Sequence, residues 1–494
     1  MRRTHILLGM FFVLVLLTAP ACGGSAAEEP TTAPATGSAP AQAATDDTTE
    51  AATSSAPPVT ARSTTTTLPS AEETILREMT LRQKAAQTLL LGFEGTRLIP
   101  ATERLVAEGP PGGLLLLGRN VAGTEQLATL TTDLQTAALT AGNGVGLFIA
   151  VDQEGGSVQR IREGVPRLPA ARALGEESSL LEVGRVAAET AEGLLAQGVN
   201  MNLAPVADVV SDPESFLYSR SYSGDPTVVA DYVAVVTQAY EDAGLISVVK
   251  HFPGHGSASG DTHGEAVISE ASQTEFATTH LPPFKAALAS GAEGVMMAHV
   301  FATVYDPDLP SSLSPAVIDS LLREGLGFSG LVVCDDLEMA GAMLAGPVEP
   351  EAGTAETAGS VADLGDFAVL ALEAGCDMLI STGTLERQLA IADAIEEAVL
   401  RGRLSETRLD QAVLRILEVK SRHCLLDPRR RDAQLSRIRS ASSLNASMTY
   451  WMPDTLAASS VRATMSERLS VSSRKLRAPA MNWVSPVLSL STKV

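Results

Sequence analysis

The chain is poor in cysteine, with four in 494 residues: Cys22, Cys334, Cys376 and Cys424. No Cys-x-x-Cys spacing occurs, so a cysteine-based zinc site has no support, and nothing suggests a disulfide framework. Cys334 and Cys376 lie in apolar runs and read as small buried residues. Positive charge is also scarce. Thirty-six Lys and Arg face 58 Asp and Glu, a formal net charge of −22. That balance argues against a partner held by general electrostatics, whether nucleic acid or an anionic membrane surface. Long hydrophobic runs are lacking too. The apolar run from Ile6 to Leu17 is too short to span a bilayer comfortably, but it suits the core of a signal segment behind Arg2 and Arg3.

What is present divides the chain into four. Residues 1–22 form the signal segment, and the small residues before Cys22 resemble a lipoprotein signal in which Cys22 is lipidated after cleavage; ordinary secretion with cleavage nearby is the alternative. Residues 23–70 are Ala, Thr, Ser and Pro with scattered acids and no apolar periodicity. Such a segment buries too little surface to offset its ordering entropy and reads as a disordered tether, with an r.m.s. reach of roughly 40 Å. Residues 429–494 hold eleven Lys and Arg, three Asp and Glu, and both tryptophans, Trp451 and Trp483. This Ser-rich tail shows weak periodicity and reads as a disordered extension.

The part between, residues 71–428, repeats one alternation. Eight short apolar runs fall at 88–93, 113–118, 147–152, 200–208, 246–251, 294–300, 331–336 and 376–381. Segments with helical spacing, such as 181–198, separate them. Continuous apolar runs alternating with amphipathic helices imply parallel strands covered by helices, an α/β fold. Eight such units predict a closed (β/α)8 barrel of the TIM type. Asp152, Asp208, Lys250, His251, His299, Asp335 and Asp336 all fall at or just past the C-terminal end of a run. In such a barrel that face carries the active site.

Three stretches carry chemistry. "KHFPGHGSASGDTHG", Lys250 to Gly264, places three histidines, a lysine and an aspartate on a glycine-rich loop after a buried strand. Asp261 and His263 are two apart, so a sharp loop brings carboxylate and imidazole together. That contact orients the ring and raises its pKa, which suits His263 to proton transfer. His251, His255, Asp261 and His263 offer metal-ligand atoms, but their spacing matches no familiar helical zinc motif, and Lys250 would repel a cation. In "VVCDDLEM" a buried strand runs into two carboxylates. Asp336 can cap the next helix, which leaves Asp335 to face the pocket. A carboxylate nucleophile opposite a proton donor is the machinery of retaining glycoside hydrolysis. In "AVDQEGGSVQR", Asp152 ends a strand where a carboxylate can accept bonds from sugar hydroxyls, and Arg160 follows eight residues later.

These motifs, with "NLAPVADV", "RSY", "MMAHV" and "AGCDML" in order between 75 and 425, resemble the family 3 glycoside hydrolases of the bacterial β-N-acetylhexosaminidase type. The resemblance implies Asp335 as catalytic nucleophile, His263 as acid/base and Asp261 as the partner that orients it. It implies sugar contacts from Asp152, Arg160, Arg220, Lys250 and His251, with His299 lining the pocket. It implies no metal and no organic cofactor. Cys334 and Met297 stand where Ser or Thr, and Thr, are more usual. The expected protein is an exported monomer, lipid-anchored and facing the cell wall. It would remove terminal N-acetylglucosamine from peptidoglycan fragments, contacting the membrane through its anchor alone. Two alternatives stay open: a phosphorylase in which phosphate opens the intermediate, and a non-catalytic glycan-binding lipoprotein.

Overall fold

The computed structural model describes residues 69–141, 144–258, 260–262, 266–339 and 361–426. The signal segment with Cys22, all but the last two residues of the tether, His263 and the basic tail lie outside the described residues.

All eight apolar runs form strands: β1 Leu89–Gly92, β2 Gly113–Leu116, β3 Phe148–Val151, β4 Met201–Asn202, β5 Ile246–Phe252, β6 Gly294–Met297, β7 Leu331–Cys334 and β8 Met378–Ser381. Each pairs in parallel with the next. Leu89, Leu90 and Leu91 of β1 pair with Leu379, Ile380 and Ser381 of β8, closing an eight-stranded barrel. The expected (β/α)8 architecture is therefore the observed one.

Alternation along the strands builds two cores, because successive side chains leave opposite faces. Leu90, Leu115, Phe148, Ala150, Met201, Ile246, Val248, Met296, Val333 and Met378 point inward and fill the barrel. Their neighbours Leu89, Leu91, Leu114, Leu116, Ile149, Val151, Val295 and Val332 point outward and pack beneath the helices. The helix Glu406–Arg422 is capped by the Ser405 hydroxyl, and its Ile416 and Val419 join the inner cluster. It thus covers the N-terminal end of the barrel. Cys334 and Cys376 are buried, as expected, and Cys424 is exposed. Among the described residues no helix is long and apolar enough to cross a membrane.

Two short ribbons decorate the C-terminal face. Gln153–Gly155 pairs antiparallel with Val158–Gln159 just after β3. Val300–Ala302, just after β6, pairs in parallel with Val267–Ser269, which follows the histidine loop. The first ribbon, through Glu154 and Val158, walls the region into which the polar residues project.

Candidate active site

A cavity of about 420 Å³ opens at the C-terminal end of the barrel. Its floor is the top of the inner core, Leu115, Leu203, Met296 and Ile380. Its walls are polar, and the strand ends deliver three groups of side chains to them.

The first group is a charge network between β3 and β5. The Lys250 ammonium lies 2.6 Å from Asp152 Oδ1 and 2.7 Å from Glu154 Oε1. Arg220 grips both Glu154 oxygens at 2.8 Å through Nε and Nη2. Burial alone would push the Glu154 carboxyl up, but the two cations overcome it and hold the group down at about 2. Burial likewise opposes the charge on Lys250, and Asp152 and Glu154 restore it, so its pKa lies above the usual value. The network depends on Gln153. Its side-chain oxygen accepts from the Arg160 and Ile161 amides at 3.0 Å, and its amide donates to the Ile161 carbonyl at 2.7 Å. That folds the loop back and brings Arg160 to the cavity. Arg160 Nε is buried and has no hydrogen-bond partner among the described residues.

The second group centres on Asp208, whose side chain is wholly buried. Asp208 Oδ2 lies 2.7 Å from His251 Nδ1 and accepts from the His251 amide, and Oδ1 accepts from the Gly256 amide at 3.3 Å. Burial would raise the Asp208 pKa, but His251 outweighs it and the carboxylate stays ionised. An ionised acceptor requires the proton on Nδ1, so the other ring nitrogen of His251 is left for the cavity. The motif's glycines are steric necessities. A Cβ at Gly256 would sit 2.3 Å from the Val209 carbonyl oxygen. Gly254 has φ +128° and faces His280, which a Cβ would meet at 2.7 Å. His255 also lines the cavity; its Nε2 is 3.4 Å from Thr262 Oγ1 and its buried Nδ1 has no partner among the described residues.

The third group follows β7. Asp335 lines the cavity, and its Oδ1 accepts the Asp336 amide at 2.8 Å. Burial works to raise its pKa, but His251, that amide and the Lys250 charge outweigh it and hold the carboxylate ionised. Its neighbour goes the other way: burial, with the Asp335 charge adding to it, pushes Asp336 up to about 6. Asp336 caps the turn at the Glu338 amide, as expected, and also bridges to the amide and hydroxyl of Thr382 past β8. An ionised carboxylate beside a fork of cations and anions, on an apolar floor, is chemistry suited to polyhydroxylated ligands.

The glycosyl hydrolase family 3 N-terminal domain profile matches residues 80–419. The chain belongs to glycosyl hydrolase family 3. It is 36% identical over 307 residues to a β-hexosaminidase of Methylococcus capsulatus, covering 61% of this chain and 84% of that one. Among solved structures it is similar to a family 3 β-N-acetylglucosaminidase from Paenibacillus sp., with a TM-score of 0.65, 32% identity, and 80% of this chain and 68% of that chain covered. It is also similar to a β-N-acetylhexosaminidase from Beutenbergia cavernae, with a TM-score of 0.62, 28% identity, and coverage of 69% and 99%.

In this family 3 chain the structure gathers Asp152, Arg160, Arg220, Lys250, His251 and Asp335 around one cavity. His299 is a correction. It is wholly buried and bonded to Ser312 and Asp336 instead of lining the cavity. Past Met297 the chain has left β6, so strand alternation no longer decides which way a side chain points. Asp261 is half-buried beside the cavity-lining Thr262, and its expected contact with His263 lies outside the described residues. Sequence reasoning missed Glu154, the hub of the charge network, although it stood in a quoted motif. It noted Asp208 as a strand end but gave it no role.

Among the described residues, one set of His, Cys, Asp or Glu ligand atoms is close enough to share an ion: Glu241, Glu293 and His423. It lies at the opposite end of the barrel. There Arg422 already forks both Glu293 oxygens at 3.2 Å, and burial pushes Glu241 up to about 7, so the cluster balances its charge without a metal.

Proposed function

We infer that the chain is a retaining, exo-acting β-N-acetylglucosaminidase, and that peptidoglycan fragments are its substrate. One observation carries the reading: an ionised carboxylate, Asp335, on the wall of a cavity whose floor is packed barrel core. A floor of Leu115, Leu203, Met296 and Ile380 leaves no second exit, so a glycan enters by one end only. The volume is toward the small end of ligand pockets, as a single terminal sugar requires.

The mechanism follows from the residues. Asp152, Arg160, Arg220, Lys250 and His251 hold the terminal sugar by its hydroxyls and N-acetyl group. Asp335 attacks the anomeric carbon, and the glycosidic bond breaks toward the leaving oxygen. His263, oriented by Asp261, delivers a proton to that oxygen. The glycosyl–aspartate is then opened by water that has given its proton to His263, and the configuration is retained after two inversions. Export and a Cys22 lipid anchor, with residues 23–70 as tether, would hold the barrel at the outer membrane face within reach of wall polymer.

The test is the release of 4-nitrophenol from 4-nitrophenyl N-acetyl-β-glucosaminide and from the matching glucoside, with and without phosphate. Release from the N-acetyl substrate alone, with free N-acetylglucosamine as product, is expected. Sugar 1-phosphate in phosphate buffer would replace hydrolysis by phosphorolysis. Inertness toward both substrates would shift the reading to glycan binding.

A further inference from the structure

We propose that His299 is a positioning residue that aims the nucleophile Asp335 through the main chain of Asp336. The proposal rests on the reading of Asp335 as nucleophile.

His299 stands two residues past β6, wholly buried, with its ring edge-on to Phe367 at 5.5 Å. Its two nitrogens have chemically different partners. Nε2 lies 3.1 Å from the carbonyl oxygen of Asp336. A carbonyl oxygen only accepts, so Nε2 carries the proton. Nδ1 lies 2.8 Å from Ser312 Oγ, a buried hydroxyl that is free to rotate and donate. The opposite tautomer would set the Nε2 lone pair against the carbonyl lone pairs. The doubly protonated ring is disfavoured as well, since burial drives its pKa down although Asp335 pulls it up. One tautomer of a neutral ring is therefore selected from both sides.

The hydrogen bonds form a directed chain. The Cys376 thiol, just before β8, faces the Ser312 carbonyl at 3.5 Å. The Ser312 hydroxyl donates to His299, and His299 donates to the Asp336 carbonyl. The Asp336 amide donates to Asp335 Oδ1 at 2.8 Å. The Asp336 side chain is pinned independently by the Thr382 amide at 3.2 Å and by the Thr382 hydroxyl. Residue 336 is thus held at its carbonyl from β6 and at its carboxylate from the end of β8. With both fixed, its N–H has one direction, onto Oδ1. That leaves Oδ2 of Asp335 as the attacking oxygen. Positional errors near 1 Å at a reacting atom cost on the order of 10²-fold in rate. A residue that removes such error acts on the chemical step and not on sugar binding.

The experiment compares His299→Leu, His299→Gln and Ser312→Ala with wild type on a series of aryl N-acetyl-β-glucosaminides of differing leaving-group acidity. His299→Leu is expected to lower kcat by about 10²-fold, by the same factor for every leaving group, with KM within about twofold of wild type. A proton donor would instead act most on poor leaving groups. Gln keeps a donor that reaches the carbonyl and is expected to recover most of kcat; Ser312→Ala is expected to lie between. Nitrogen-15 NMR of the histidines is expected to show, at neutral pH, a ring with bare Nδ1 and protonated Nε2. That signal should be absent in His299→Leu. Wild-type kcat in His299→Leu would overturn the proposal, as would a loss in His299→Gln equal to that in Leu, or the opposite tautomer. If His299→Leu fails to fold, the Gln and Ser312→Ala variants and the NMR signal decide. If wild type itself releases no phenol, the hydrolase reading fails, and the tautomer still tests the geometry.

Discussion

The two ends of the barrel bury the same kinds of charge and treat them differently. At the N-terminal end, Asp377 is surrounded by Arg323 at 2.7 Å, Arg415 at 2.9 Å, Arg408 at 3.4 Å and the Val332 amide at 3.1 Å. Lys420, in the helix that covers this end, meets Gln87 Oε1 at 2.7 Å and the face of Phe148 at 5.0 Å, and burial drives its pKa well down. At the C-terminal end, Lys250, Asp152, Glu154 and Arg220 are also paired, yet each borders open volume. The Lys250 ammonium has three donors, two of them used on carboxylates, and Arg160 Nε and His255 Nδ1 are buried without partners among the described residues. The lesson is that buried charge alone does not mark a site. Nor does spare hydrogen-bonding capacity alone, since Arg408 Nη1 in the Asp377 cluster is also buried without a partner among the described residues; spare capacity beside a cavity does.

That contrast is broken most severely at Asp335. Asp335→Ala removes the carboxylate that would form the glycosyl intermediate and is expected to lower turnover by roughly 10⁴-fold or more, with an unchanged melting temperature. Full activity in that variant would remove Asp335 from the nucleophile role. A paired experiment then separates the two ends. Glu154→Gln strips one carboxylate from between Lys250 and Arg220, and is expected to reduce kcat/KM by about 10²-fold because two cavity-lining cations lose their geometry. Asp377→Asn leaves three arginines facing a neutral amide. It is expected to cost roughly 3–5 kcal/mol of stability, as broken buried pairs do, while the folded fraction keeps wild-type kcat/KM. Urea unfolding and initial rates on the same preparations check both. If Asp377→Asn instead impairs KM with stability intact, the division between the ends is wrong.

The barrel was legible in the sequence because parallel strands covered on both faces must be apolar throughout, and eight such runs cannot be mistaken for amphipathic alternation. The cavity's main residues were legible because they terminate those runs. What failed was direction beyond a strand's last residue. Met297 still belongs to β6 and points outward by alternation, but His299 follows after the strand has ended, and sequence spacing does not say that it turns behind Asp336. Glu154 was hidden for a related reason. It sits in a ribbon two residues after Asp152, and only the Gln153-pinned turn shows that both carboxylates reach one ammonium. Asp208 could be seen at a run's end, but its role depends on closing the barrel so that β5 lies beside it.

The smallest expected effect sharpens the same comparison through pH. At the cavity end, Glu154 is held at about 2 against an ordinary 4.5, so its contribution to stability is present above 4.5 and is lost as pH falls through about 2. At the base the sign reverses. Burial, with the Glu293 charge adding to it, raises Glu241 from 4.5 to about 7 despite its bonds to Ser247, so between those values the folded state binds a proton that the unfolded chain lacks. Stability from this group is fully present below 4.5 and is lost as pH rises through about 7. His423 is also raised, since its contact with Glu293 outweighs burial, and it extends the loss above its ordinary 6.5. Glu241→Gln keeps an oxygen to accept from Ser247 and removes the titration. The variant is expected to melt with wild type at pH 5 and a few degrees above it at pH 8, corresponding to about 1–3 kcal/mol. Melting curves across pH 5–8 read this directly. Parallel slopes for the two proteins would mean that Glu241 carries no proton linkage of its own.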